Sequence, residues 1–334
     1  LMSPKKLSIV DIAKMAGVST ATVSRVINKS GGYSAETEKK ILEIIEKSNY
    51  TPNVNAIGLR TNKSKSVGIV VPDITNEFFA KIVRVIDTFF LAHKYSVFIC
   101  DSNEDEQIED MHINNLIEKN VDGIIYISGR TDVMEIDDKY SMPVVYIDRK
   151  PNHADVLIES DNVHGGYLAG KELIEKGCRR IVFLRDSRNV SPVRHRYRGF
   201  VQALNEMIGK VNEPIKSFEV CVNPDYDSSK NKVAEILENE LYFDGVFATN
   251  DLMALGCIHA LVEKGYKVPE DVKVVGFDDV SIAKFCNPPI TTITQNTDEL
   301  GRLAAEALYR LMSKKDIKQK VMIVPVSLNV RGST

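Results

Sequence analysis

Residues 9–56, IVDIAKMAGVSTATVSRVINKSGGYSAETEKKILEIIEKSNYTPNVNA, decide how the rest of the chain is read. Ser8, just ahead of this stretch, and Asp11 pair a hydroxyl and a carboxylate three residues apart, the arrangement that satisfies free amides at a helix start. Ile9, Ile12, Ala13 and Ala16 then recur at i, i+3, i+4 and i+7, one apolar stripe of a short helix. Gly17 supplies a turn, Val18 turns inward and Ser19 caps a second helix over Thr20 to Ile27, with Ala21, Val23, Val26 and Ile27 shared between core and exposed face. A third amphipathic helix is predicted from about Ser34 to Ser48, with Ile41, Leu42, Ile44 and Ile45 as its stripe. Helix, three-residue turn, helix and a closing third helix make a small unit around one core.

Charge separates this unit from the remainder. Residues 1–65 hold 11 Lys/Arg against 5 Asp/Glu, a surplus of six positive charges; with −3 over all 334 residues, the remainder carries −9. A basic head on an acidic body points to a polyanionic partner for the head alone. In a helix-turn-helix the second helix enters the DNA major groove, and its first turns reach base edges. Thr20 offers a hydroxyl and a methyl, Ala21 is short enough to touch a thymine methyl, and Arg25 reaches guanine or phosphate. The competing reading is a protein-interaction bundle with an ordinary exposed arginine.

The quoted stretch resembles, continuously over some fifty residues, the DNA-binding headpiece of the lac repressor family. The resemblance implies that Ser19, Thr22, Ser24 and Asn28 lie near phosphates while Thr20, Ala21 and Arg25 face bases. It also implies a hinge in residues 51–65, where Asn53, Ala56, Leu59 and Arg60 contact DNA and Leu59 wedges into the minor groove. Such a short polar segment does not hold a helix alone in water. Gly58 beside Leu59 departs from the helix-favouring residue expected there, at about 1 kcal/mol relative to Ala. The plain alternative for this segment is a flexible linker.

From Val67 onward, short apolar runs (VGIVV, YSVFIC, DGIIYI, PVVYI, RIVFL, GVFAT, VKVVGF) alternate with helical stretches, the pattern of doubly wound parallel sheets covered on both faces. The fold class expected from this pattern is an all-α helix-turn-helix headpiece followed by a two-lobed α/β core, and the family resemblance implies that this core is of the periplasmic-binding-protein kind. The boundaries read are a DNA-binding unit at 1–50, the hinge at 51–65, a first lobe from 66–161 and 293–323, and a second from 162–292 and 324–334.

Ligands of such sheets lie at the carboxyl ends of the strands. Those ends carry Asn76, Phe78 and Phe79 after VGIVV, Asp148 and Arg149 after PVVYI, Asn250 after GVFAT, Asp278 after VKVVGF, and Gln295 on a late strand; Arg196 opens a helix. Carboxylates, guanidinium forks, amides and flat rings are the set a small polyol needs. Taken singly, the phenylalanines read as core, Asp73, Glu77, Asp251 and Asp279 as helix caps, and Arg196, between Arg194 and Arg198, as part of a phosphate patch. Together the positions resemble the ribose-binding proteins. Asn76, Phe78 and Phe79 fall on their NxFF element, Asp148 and Arg149 on DR, Arg196 three positions before Gly-Phe, Asn250 in NDxMALG, Asp278 in GFD and Gln295 before DELG, with Tyr226 of PDYD where an aromatic clamps the second face.

The resemblance implies a sugar-controlled repressor, with D-ribose as the first effector candidate, a homodimer and a pseudo-palindromic operator. A purine, a sugar phosphate and a phosphorylated carrier protein remain as rivals, although TQNTDELG lacks the Pro and Tyr associated with carrier-responsive relatives. No phosphate loop GxxxxGK[ST], GxSxG elbow or HExxH is present, so neither an enzyme nor a cofactor is expected. Five cysteines without CxxC argue against disulfides and zinc and for inert thiols. Without a long apolar run or a leader-like start, the chain is expected to be soluble and cytoplasmic, which separates it from an exported sugar carrier.

Overall fold

The fold is seen in a computed structural model that describes residues 7–27, 29–48, 63–128, 130, 142–149, 156–188, 190–207, 210 and 213–334. The chain divides into two units, Leu1–Ser64 and Lys65–Thr334.

In the first unit, helix α1 (Ile9–Ala16) starts on the Ser8/Asp11 capping box and ends on Gly17 at φ 71°. That left-handed conformation suits glycine. Helix α2 (Thr20–Ile27) starts on Ser19, whose hydroxyl accepts from the Thr22 amide at 3.1 Å. Helix α3 (Ala35–Ser48) follows, with Ser34 accepting from Thr37 N at 3.2 Å. Ile12, Ala13, Ala16, Val23, Val26 and Ile41 form the buried core. Leu42, read as part of the apolar stripe, is exposed; Ile44 and Ile45 close the face instead.

The second unit holds two six-stranded sheets. The first is ordered β11-β5-β4-β3-β1-β2, where β1 is Ser66–Val71, β2 Ser96–Asp101, β3 Ile124–Tyr126, β4 Val144–Ile147, β5 Leu157–Ser160 and β11 Val321–Val324. All its pairings are parallel. The second is ordered β12-β10-β9-β8-β6-β7, where β6 is Arg180–Asp186, β7 Lys216–Val222, β8 Gly245–Ala248, β9 Lys273–Asp278, β10 Thr291–Gln295 and β12 Val326–Asn329. Only β10 and β12 pair antiparallel in this sheet.

Central strands are buried throughout, as β1 and β8 show. β2 is an edge strand and leaves Phe98 and Ile99 exposed, although its run YSVFIC reads as a covered strand. Helix α4 (Glu77–Ala92) buries Phe78, Phe79, Ile82, Val83, Ile86 and Phe90 against the first sheet, together with Leu300, Ala304 and Leu308 of a late helix, α11 (Thr297–Met312). The remaining helices are α5 (Glu106–Glu118), α6 (Asn162–Glu175), α7 (Ser191–Met207), α8 (Tyr226–Glu238), α9 (Asp251–Glu263) and α10 (Ser281–Phe285).

The chain passes between lobes three times. The first passage follows Ser160. The second falls after Gln295 rather than after residue 292, because all of β10 pairs within the second sheet. The third falls after Val324, which pairs with Ser160 in the first sheet, so 324 is not the start of the second lobe. Cys100, Cys178 and Cys257 are buried, whereas Cys221 is exposed. Among the described residues, no helix is long and apolar enough to cross a membrane.

Candidate functional site

Two surfaces concentrate the chemistry. On α2, Ser19, Thr20, Ala21 and Arg25 are exposed and Thr22 is half-buried, so the side chains read as base-facing do stand outward. Ser24 does not: it is buried among the α2 residues facing the core, next in sequence to Val23. The spacing explains this, because Val23, Ser24, Val26 and Ile27 share the inward arc while Ala21 and Arg25, four apart, share the opposite one. Asn28 and the hinge residues Asn53, Ala56, Leu59 and Arg60 lie outside the described residues.

The other surface is a cavity of about 490 Å³ between the two lobes of the second unit. From the first lobe come Asn76, Phe78, Phe79, Asp148 and Arg149; from the second come Arg196, Asn250 and Asp278. Asn76 caps α4 by accepting from Phe78 N at 3.0 Å, which seats the two phenylalanines at the helix start. Their rings meet edge to face, 5.2 Å apart. Asn250 caps α9 by accepting from Met253 N at 2.7 Å and donates to Pro224 O at 3.1 Å. Asp148 and Asp278 end their strands at φ 63° and 110°. A left-handed conformation at a non-glycine residue is costly, and such residues cluster at functional sites.

The charged groups hold one another. Arg196 donates through Nε to Asn162 Oδ1 at 2.8 Å and through Nη1 to Thr249 O at 2.5 Å. Its guanidinium lies over the Phe277 ring, 3.6 Å from the centroid, and 3.7 Å from Asp278 Oδ1. Asn162 also donates to Asp148 Oδ1 at 3.1 Å, and Arg149 Nη1 to Ser128 O. Burial raises Asp278 from 3.8 to about 7; the Arg196 charge and the Gln295 bond oppose this, while the Asp148 charge adds to it. Burial, with the nearby Arg188 charge, lowers Arg149 to about 10.

Two expected residues are not brought to the cavity wall. Tyr226 opens α8 with its hydroxyl against His259 Nδ1 at 2.6 Å, packed beside the second-lobe core, and Pro224 and Asp225 line the wall in its place. Gln295 stands behind Asp278, donating to Oδ1 at 2.7 Å, with its own amide oxygen buried and without a hydrogen-bond partner. Arg194 and Arg198 are exposed and do not line the cavity, so they form no phosphate patch with Arg196. Asp251 and Asp279 serve the fold: Asp251 accepts from Thr292 and Val280, and Asp279 from Arg331, Thr294 and Asn329.

Glu104, Asp186 and Arg188 also line the cavity and were not singled out from sequence. Glu104 and Arg188 follow β2 and β6 and Asp186 ends β6, so the strand-end rule applied to those two strands finds them.

Residues 8–53 match the model of the bacterial regulatory proteins of the lacI family, and residues 171–334 that of a periplasmic binding protein-like domain. A transcriptional repressor named PurR from Mannheimia succiniciproducens is 36% identical over 98% of both chains. The chain belongs to the lacI family.

As a lacI-family protein it is a DNA-binding transcriptional repressor with a small-molecule effector site, not an enzyme. The ribose operon repressor of Halalkalibacterium halodurans is 32% identical, covering 98% of this chain and 97% of that one. The lac repressor dimer bound to operator and the anti-inducer ONPF superposes with a TM-score of 0.86 at 25% identity, covering 98% of this chain and 99% of that one.

Proposed function

We propose that this repressor binds a small uncharged polyol, with D-ribose as the first candidate, between its two lobes, and that the ligand controls the grip of a homodimer on a pseudo-palindromic operator. The observation that carries the reading is the convergence of Asp148 and Arg149 from one lobe with Arg196 and Asp278 from the other, beside the paired rings of Phe78 and Phe79. Carboxylates accept from two vicinal hydroxyls, guanidinium forks donate to ring and hydroxyl oxygens, and aromatic faces cover C–H surfaces. Gln295 supports this arrangement from behind the wall, donating to Asp278 Oδ1 at 2.7 Å. Three guanidinium groups line the cavity against six carboxylates, which favours a neutral ligand over a phosphorylated one.

The relative named PurR makes a purine the competing effector. Among the described residues lining the cavity, Phe78 and Phe79 are the only aromatics and Tyr226 is bonded to His259 instead, so charged and amide groups outnumber the ring surface on which a planar base would stack. The ribose operon repressor supports the sugar reading, and the lac repressor dimer supports two-fold operator binding. Closure of the lobes on ligand then weakens operator binding by about 1–3 kcal/mol, and operator weakens sugar binding equally.

Calorimetric titration of the full chain with D-ribose, other pentoses, ribose 5-phosphate and purine bases tests this. Selective pentose binding that weakens when operator is added supports the proposal; purine binding with no sugar response overturns it.

A further inference from the structure

We propose that Glu104 makes the cleft selective against anionic effectors: it takes the free edge of Arg188 across the cleft and so masks a two-arginine corner that would otherwise seat a phosphoryl group. For its neutral ligand this rests on the polyol reading above; its anion arm stands without it.

Arg188 follows β6 in the second lobe, and Asp186 holds one side of its guanidinium. Nε lies 3.0 Å from both carboxylate oxygens, and Nη2 lies 2.6 Å from Oδ2. The remaining Nη1 faces Glu104 Oε1, which comes from the first lobe. The turn that presents Glu104 is fixed: Asn103 and Glu104 have φ of 48° and 60°, and Glu104 N donates to Pro72 O at 2.7 Å. Arg149 is the second cation of the corner. It is buried and lines the same cavity as Arg188; burial first, and the Arg188 charge second, lower its proton affinity. Two guanidinium groups lining one corner of a cavity are a strong seat for a phosphoryl group, because each offers paired N–H donors in the geometry of two phosphate oxygens.

Three carboxylates now occupy that corner: Asp148, Asp186 and Glu104. Asp186 is nearly fully buried and also accepts the Arg188 amide at 2.8 Å, so its loss leaves unpaired groups in the interior. Glu104 is the removable one, with a third of its side chain exposed and its partner still held by Asp186.

The test compares the full wild-type chain with Glu104→Gln, Glu104→Asp and, as a net-charge control, Glu238→Gln in the exposed pair with Lys264. Ribose and ribose 5-phosphate are titrated calorimetrically at constant ionic strength, and inorganic phosphate is followed by thermal shift. Glu104→Gln should narrow the preference for ribose over ribose 5-phosphate, read as the ratio of the two affinities, by about tenfold or more. Glu104→Asp, which keeps the charge, and Glu238→Gln should leave that preference within about twofold. Inorganic phosphate should stabilise Glu104→Gln more than wild type. An unchanged preference together with equal phosphate shifts overturns the proposal, as does an equal gain in Glu104→Asp and Glu104→Gln. If no variant binds ribose, the polyol reading fails and the phosphate comparison alone decides the role of Glu104.

Discussion

Asp278→Asn keeps the shape of the side chain and removes its charge, so it isolates what ionising a buried carboxylate costs the ligand-free protein. Asp278 is almost wholly buried, with Gln295 Nε2 at 2.7 Å and the Arg196 guanidinium at 3.7 Å. Burial outweighs both partners and raises it from 3.8 to about 7. The native protein thus keeps this proton over a range in which the unfolded chain has released it, and stability falls as pH rises from about 4 to about 7. Integrating proton binding with those two values gives a loss on the order of 2–3 kcal/mol between pH 5 and pH 8. The amide that replaces the carboxyl does not titrate, and its oxygen still accepts from Gln295. The wild-type stability minus that of Asp278→Asn, measured by urea unfolding of the full chain, should therefore drop by roughly 2–3 kcal/mol over this interval, the mutant gaining relative to wild type at pH 8. Taking the difference removes every group the two proteins share. A difference that stays constant with pH, or that rises, refutes the reasoning. At the same time the variant should lose most of its ribose affinity while holding operator, since a neutral amide accepts fewer hydroxyl bonds than a carboxylate.

Three further outcomes follow from positions elsewhere in the chain. Arg25→Ala should weaken operator binding by about 1–3 kcal/mol in a gel-shift or anisotropy titration and leave the ribose isotherm unchanged. Gly166→Ala should cost at least about 1–3 kcal/mol of stability and lower effector affinity, because the added Cβ would stand 1.9 Å from Arg196 O where α6 and α7 cross; a thermal melt and a ribose titration read both. Tyr226→Phe should leave effector affinity within about twofold, since it removes only a hydroxyl bonded to His259; a tenfold loss would place the tyrosine against the ligand.

What could be read from the sequence follows from which groups have a periodic signature. Runs such as VGIVV and GVFAT are buried on both faces, so continuous hydrophobicity finds them. β7 alternates, because it is an edge strand with Lys216, Ser217, Glu219 and Cys221 outward, and it carries too little apolar signal to be read. The same limit hid the exposure of β2, whose residues look central but whose place in the order is last. At the site, the position of a residue at a strand end was legible and its direction was not. Tyr226 sits one residue beyond the wall formed by Pro224 and Asp225, and the first turn of α8 carries it to the core side. Ser24 shows the same on a smaller scale: the family resemblance implies a phosphate contact, but its angle on α2 places it with Val23 and Val26 on the buried side.

The polar side chains of the cleft are linked before any ligand arrives. Asp148, in the first lobe, accepts from Asn162, the first residue of α6 after the chain passes between lobes; Asn162 accepts from Arg196, which lies beside Asp278, which accepts from Gln295, the last residue before the chain passes back. This relay begins at one passage and ends at another. A hydroxyl-rich ligand inserted among these groups competes for Asp148 and Asp278 and shifts the restraint on both passages at once. Lobe closure and effector binding therefore draw on the same hydrogen bonds. Asn162→Ala, outside the cavity wall, should on this account change effector affinity and the coupling to operator together, because it breaks the relay between Asp148 and Arg196 while leaving every lining side chain in place. Titrating ribose into that variant with and without operator reads both quantities, and an unchanged coupling with altered affinity would reduce Asn162 to a local support for Arg196.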